Sequence, residues 1–219
     1  MGNKAKISAK TIEAFRGITT ASVADALWEH GISGHMTYEI KPIFPTKIVG
    51  PAMTVMEEPT DERLPPTHAL QLIDNCDPGS VIVIAIQGFR EVATWGGLMT
   101  AGAVVNGLEG AVLDGGVRDV EEIERDFGFP VFARSVTPAT TVGRFKTVSA
   151  NEPVVVGGVT VNPGDLIVGD RDGVVVVPAD MVDEVLILAL DIEEREREQT
   201  KLIHEAKSLL KGLEKYKRI

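Results

Sequence analysis

The sequence predicts an α/β protein built on a mixed sheet rather than a purely doubly wound one, and three stretches carry that expectation. Residues 81 to 134 alternate strand, helix, strand, helix, strand, with VIVIAI, AVLD and PVFA as the strands, which implies parallel pairing through right-handed crossovers. Residues 153 to 178 carry PVVVGGVTV, DLIVGD and DGVVVVP, β-branched runs separated by glycine turns that read as antiparallel. From Asp180 the apolar spacing becomes that of a helix.

Taken in order, Ser8 caps a first short helix through Phe15, and Thr20 caps a second, TASVADALWEH, whose Val23, Leu27 and Trp28 share a face and which Gly31 ends. Tyr38 to Val55 is extended, with Pro42, Pro45 and Pro51 marking edges or turns of short strands. Glu57 to Pro66 is polar and proline-bearing, a surface loop before a helix near Thr67 to Asp74. VIVIAI is a buried strand, WGGLMTAGAVVNG a small-residue helix and AVLD a second buried strand. DGGVRDVEEIERDFG then reads as a glycine turn and an acid-rich helix leading to PVFA, and a hairpin follows around Gly157 and Gly158. Asp180 caps one long C-terminal helix: Val182, Val185, Leu186, Ala189 and Ile192 keep the helical period, and Leu202, Ile203, Ala206, Leu209 and Leu213 resume it. Too little chain remains to bury that second stripe, so the segment from about 180 to 215 is expected to pack on another subunit, a solvated tail being the weaker alternative.

Composition narrows the function classes. The 219 residues are 44% hydrophobic, enough for a sizeable core in one domain spanning 1–219 with N-terminal helices at about 8–30. Lys+Arg 22 against Asp+Glu 32 gives a net charge of -10, which repels phosphate backbones and argues against nucleic-acid binding. The single cysteine, Cys76, has no partner for a disulfide or a thiolate metal knuckle, and fits a reducing cytoplasm. The start MGNKAKISAK lacks a signal peptide's apolar segment, and Val81 to Ile86 is far too short to span a bilayer, so a soluble, membrane-free protein is expected.

The sharpest chemical feature is LDGGVRD, residues 113 to 119, where a buried strand delivers Arg118 and Asp119 to a helix start. Free backbone amides and a forked guanidinium suit a small carboxylate, and Asp119 suits a hard divalent cation. Asp119 also reads as a helix cap and Arg118 as an ion-pair partner, and spacing alone slightly favours that plain reading. In GFREVATWGGLMT, Gly96 and Gly97 let backbone approach a ligand and Glu91 stands nearby, either facing a cation or solvated. Trp95 reads as a core anchor, Met99 as packing, and Asp165, Asp170 and Asp172 as loop hydrogen-bonders. His30, His35, His68 and His204 show no metal spacing, and neither a nucleophile elbow nor a phosphate-binding glycine loop is present.

TASVADAL, KIVGPAMTV, GFREVATWGG, AVLDGGVRD and PGDLIVGDRDGVVVVP occur in the order of one family. From about Thr20 to the C-terminal helix the chain resembles the 4-hydroxy-4-methyl-2-oxoglutarate aldolases, a family that also contains the regulator of ribonuclease activity A. The resemblance implies a three-layer β/β/α swivelling-domain fold, similar to phosphohistidine domains, assembled as homotrimers or hexamers. In the aldolase branch an acidic residue, twenty residues and then Arg-Asp mark a divalent metal and pyruvate site, and counting back from Arg118 places the acidic position on Gly97. Arg118 and Asp119 match and carry over as the carbonyl and carboxylate binder and the metal ligand. The backbone of Gly97, Leu98 and Met99 carries over as the pyruvyl carboxylate cradle. A family glutamate reaching in from a neighbouring subunit falls on Glu198, with Glu194 one turn earlier as the alternative, and Glu91 is a further candidate for the missing charge.

The resemblance therefore implies a lyase dependent on Mg²⁺ or Mn²⁺ that cleaves a 4-hydroxy-2-oxo acid with release of pyruvate, or decarboxylates oxaloacetate through the same enolate. The alternative is a non-catalytic protein of the regulator type that binds and inhibits a partner enzyme, which Gly97 keeps open and Asp119, absent from the regulator branch, argues against. A methyltransferase reading carries little weight because no adenosine-binding glycine turn follows the first parallel strand.

Overall fold

The computed structural model describes residues 6–216. Helices α1 (Ala9–Arg16) and α2 (Thr20–Glu29) open the chain, followed by strands β1 (Lys41–Pro42) and β2 (Ile48–Pro59). The centre runs α3 (Thr67–Asn75), β3 (Val81–Ala85), β4 (Ala93–Trp95), α4 (Gly97–Val105) and β5 (Gly110–Val117). A single turn α5 (Val120–Glu122) continues as a π-helical turn, Ile123–Phe127, into β6 (Val131–Val136). Then come β7 (Phe145–Ala150), β8 (Val154–Val156), β9 (Val159–Val161), β10 (Leu166–Asp170), β11 (Gly173–Val177), α6 (Val182–Ala206) and α7 (Leu209–Tyr216).

The expected mixed sheet is present. Its order is β1-β6-β5-β3-β2-β10-β11, with β2, β3, β5 and β6 parallel and β1, β10 and β11 antiparallel to their neighbours. β4 adds in parallel to the end of β5, and β7 adds antiparallel to the far end of β2. The sheet nearly closes on itself, because Met36 N–H donates to Val174 O and Val176 N–H to Gly34 O, bringing the segment ahead of β1 onto β11. The larger apolar clusters fill the layers: Leu72, Ile84, Trp95 and Phe129 beneath α3 and α4; Ile48, Val112, Phe132 and Val176 inside the curve; and Phe15, Leu27, Val168 and Val185 where α2 and α6 cover β10 and β11. Among the described residues no helix is long and apolar enough to cross a membrane.

The parallel centre, the antiparallel C-terminal strands and the hairpin follow the sequence expectation; Gly157 and Gly158 take φ of +58° and +84°, as a two-residue hairpin turn requires. Several details differ. Thr19, not Thr20, caps α2, its Oγ1 accepting from Ser22 N–H, while Thr20 is spent on Asp170. Trp28 leaves the shared face and stands 70% exposed. β2 is one twelve-residue strand rather than short pieces, and Pro51 sits where it hands over from β10 to β3. Glu57 lies inside β2, 1% exposed, because the unforeseen strand β7 pairs it with Thr147. The Asp114–Gly115–Gly116 segment is not a turn: β5 runs on through it, and a Cβ on Gly116 would lie 2.5 Å from Thr137 Cγ2 and 2.9 Å from Val92 O.

The C-terminal helix is also not continuous. Met181 rather than Asp180 stands at its N-cap, without a side-chain bond. At Lys207 the backbone turns left-handed, with φ of +49°, and α7 folds back on α6. Gly212 allows this contact, since a Cβ there would lie 3.1 Å from Ile203 Cγ1 and 3.2 Å from Gln199 Cγ. Leu202, Ile203 and Ala206 are thereby half-buried by the chain itself, whereas Leu209 and Leu213 remain exposed.

Candidate functional site

The site is built where β4 and β5 end beside the start of α4. Trp95 fixes that start: it stacks on Phe129 at 6.0 Å and 4° between ring planes, and its Nε1 donates to Thr100 Oγ1 at 2.8 Å. Thr100 Oγ1 in turn donates to Gly96 O at 3.1 Å. The first turn of α4 then presents the amides of Gly97, Leu98 and Met99, which have no acceptor within the helix and carry its positive end. Leu98 itself points outward, its side chain 89% exposed, and Met99 is half-buried against the core.

Arg118 leaves the end of β5 with its N–H donated to Trp95 O at 3.0 Å. Asp119 then takes a left-handed conformation, φ +61°, which Asp tolerates better than most residues. That kink turns its carboxylate away from α5, which has no side-chain cap, and onto α4, where Oδ2 accepts the Gly97 N–H at 3.0 Å. Asp119 therefore caps the neighbouring helix rather than its own. The Arg118–Asp119 pair is loose, 3.6 Å between Nε and Oδ2 with the side chains 42% and 41% exposed, so both groups stay available to a ligand. Arg118 borders a cavity of about 200 Å³ also lined by Gly96, Leu98, Thr94, Leu70 and Thr141, among others, which Asp119 does not line.

Both glycines are closely approached by side chains of the following segment. A Cβ on Gly96 would lie 2.8 Å from Asp119 Oδ2 and 3.0 Å from Arg118 Nε. A Cβ on Gly97 would lie 2.6 Å from Glu122 Oε2 and 3.0 Å from Oε1, so the carboxylate of Glu122 stands where a side chain at 97 would begin. Sequence reasoning missed Glu122; its only signal was its spacing, one turn after Asp119. Glu91 is exposed, accepts a Thr137 hydroxyl on its backbone carbonyl and does not line the cavity. Glu198 accepts the Tyr216 O–H at 3.2 Å and Glu194 pairs with Arg197, so in one chain neither reaches Arg118's cavity.

Among the described residues no group of three or more His, Cys, Asp or Glu side chains is arranged to hold a metal. Asp119 supplies one carboxylate, and a mostly hydrated Mg²⁺ or Mn²⁺ is commonly held by one or two such oxygen donors. The residues present thus fit a hard divalent cation and not a soft one. Burial pushes the Cys76 thiol up, away from nucleophilic use.

Two residues of the same neighbourhood are structural. Asp114 is buried and saturated, accepting from Gly88 N–H at 2.7 Å, Gly157 N–H at 2.9 Å, and Arg134 Nε and Nη2 at 2.9 and 2.7 Å. Arg134 also pairs with Glu39, so the larger cavity of about 550 Å³ beside them is lined by charges already committed to one another.

A protein of Halalkalibacterium halodurans, named provisionally a 4-hydroxy-4-methyl-2-oxoglutarate aldolase, is 37% identical over 85% of this chain and 87% of its own. Protein DlpA of Legionella pneumophila is 39% identical over 76% of this chain, but the matched part is only 27% of DlpA. Among solved structures, Streptomyces coelicolor RraAS2, described as an unusual member of the RNase ES inhibitor RraA family, superposes with a TM-score of 0.84 at 27% identity, over 90% of this chain and all of its own. Residues 20–176 match the RraA-like description Aldolase/RraA, and the chain belongs to that family.

Proposed function

We propose that the chain is a divalent-metal-dependent lyase that cleaves a 4-hydroxy-2-oxo acid to release pyruvate, or decarboxylates oxaloacetate. The observation that carries this reading is that Asp119 holds the Gly97 amide of the first turn of α4 while Arg118 beside it lines a cavity. A cation held by Asp119 would polarise the 2-oxo group of the substrate. The Leu98 and Met99 amides bind the adjoining carboxylate, as helix N-termini do. Arg118 donates to the oxygen that becomes negative when the bond from C3 to C4 breaks and its electron pair moves into the enolate; C4 leaves as a carbonyl whose former hydroxyl proton passes to water, or as CO₂ from oxaloacetate, and the enolate takes a proton at C3 to give pyruvate. Retro-aldol cleavage and β-decarboxylation share that enolate, which is why one arrangement serves both.

The apolar residues Ile187 and Leu190 stand exposed on α6, with Leu209 and Leu210 exposed on α7, and support a homotrimer or hexamer in which Glu198 of one copy serves another. Light scattering tests this: a single 23.5 kDa species would overturn it. The second reading, a regulator that inhibits a partner enzyme, rests on the likeness to RraAS2 and on the glycine at 97. The deciding assay is pyruvate release from oxaloacetate with and without Mg²⁺. Turnover that needs metal and disappears in Arg118→Ala supports the lyase; no turnover of any 2-oxo acid with metal present sinks it in favour of the regulator.

A further inference from the structure

We infer that the cavity beside Arg118 takes 4-hydroxy-2-oxo acids whose second half is short and uncharged, and discriminates against those that carry a second carboxylate. This rests on the lyase reading and names the substrate class which that reading leaves open. Among the described residues that line the cavity, Arg118 alone is charged. Its wall is otherwise built from Leu70, Trp95, Met99 and Val142, with Thr94 and Thr141 as neutral hydroxyl residues. The volume of about 200 Å³ lies below the range of about 300–1,000 Å³ usual for drug-sized ligands, so little room is left beyond the 2-oxo acid end.

The 2-oxo acid end, bound to the amides of α4 and to Arg118, uses the one cation the cavity has. A second carboxylate on C4 would lie along the Leu70 and Val142 wall with no positive charge to replace its lost water, and an unpaired charge out of water is strongly disfavoured. Arg63 Cγ stands 3.5 Å from where a Cβ on Gly143 would be, and Arg144 donates to Thr140 O at 3.0 Å, but both residues are exposed and neither lines the cavity. Over Gly96 and Gly97 stand two acids, Asp119 and Glu122, which repel a further anion. A methyl group at the same place meets only apolar and neutral surface, and its burial is favourable. Rejection of the charged substrate thus comes from a partner the wall does not provide.

Two matched probes, which differ only in the group on C4, test the inference on the full-length protein with Mg²⁺ present. 4-Hydroxy-2-oxopentanoate carries a methyl there and 4-hydroxy-2-oxoglutarate a carboxylate. Retro-aldol cleavage gives pyruvate from both, with acetaldehyde or glyoxylate as the other product, and chromatography separates the three. The ratio of kcat/KM should favour the methyl probe by about tenfold or more. Leu70 is 40% exposed, so Leu70→Arg can lay its stem on the same surface and hold a cation at the cavity's edge. That variant should narrow the preference by about tenfold, and Val142→Arg, on a different element, should act in the same direction. A carboxylate probe cleaved as well as the methyl probe overturns the inference and leaves the lyase reading standing, as does a preference that neither variant moves. Mg²⁺-dependent decarboxylation of oxaloacetate with neither probe cleaved overturns it likewise. No turnover of any of the three compounds ends the lyase reading and this inference together.

Discussion

Glu57 offers the most direct test of the structure by thermodynamics. It lies in β2, 1% exposed, and among the described residues neither carboxylate oxygen has a hydrogen-bond partner. Burial pushes its carboxyl from the ordinary 4.5 up to about 8. The unfolded chain releases this proton near pH 4.5 and the folded chain holds it until near pH 8, so between those values the unfolded state is favoured progressively more. At about 1.36 kcal/mol per pH unit the loss of stability accumulates to about 5 kcal/mol, with no further change above pH 8 and none below 4.5. Glu57→Gln removes the titration and keeps the shape. Urea unfolding at pH 5, 6, 7 and 8 should give nearly equal stabilities for the two proteins at pH 5, with the variant ahead by an additional kcal/mol or so at each step. Carboxylates elsewhere cancel in the difference. A gap that stays constant from pH 5 to pH 8 would mean that Glu57 ionises normally in the folded state, and would refute the buried, unpartnered placement.

Arg118→Lys should keep the charge but lose the forked donor, lowering pyruvate release by roughly a hundredfold with the melting temperature unchanged. Asp119→Asn retains an acceptor for the Gly97 N–H and tolerates φ of +61°, whereas Asp119→Ala does neither; urea unfolding should show the alanine variant less stable than the asparagine variant by roughly 1–2 kcal/mol. Gly157→Ala would place a Cβ 2.7 Å from Met36 Cβ at a φ of +58°, and should cost about 2–3 kcal/mol in the same measurement.

Sequence periodicity revealed the parts of the fold whose burial is one-sided or complete: β3, β5 and β6 as apolar runs, α6 by its stripe through Ile192, and the hairpin by its two glycines. It failed where tertiary pairing overrides local polarity. MEEP looked like the start of a loop because Glu57 is charged, yet β7, itself written in the unremarkable FKTVSA, pairs across it. DGG looked like a turn because glycine usually marks one, but here Gly115 and Gly116 are small so that Thr94, Ile86 and Thr137 can close over a continuing strand. Arg118 and Asp119 were legible because a strand end delivers them together. The placing of Glu122 over Gly97 was not, since a missing side chain reports no direction in a sequence.

Asp114 is joined to Arg134, Gly88 and Gly157, which lie 20, 26 and 43 residues from it along the chain. The carboxylate is satisfied only when the turn after β3, the strand β6 and the hairpin have all arrived, and a carboxylate buried before then would be short of donors. Replacing Asp114 by Asn should therefore speed unfolding more than it slows folding, which the two arms of a urea chevron would read. The strand that carries Arg118 to its cavity is in this sense locked from behind, by a carboxylate that joins three distant parts of the chain.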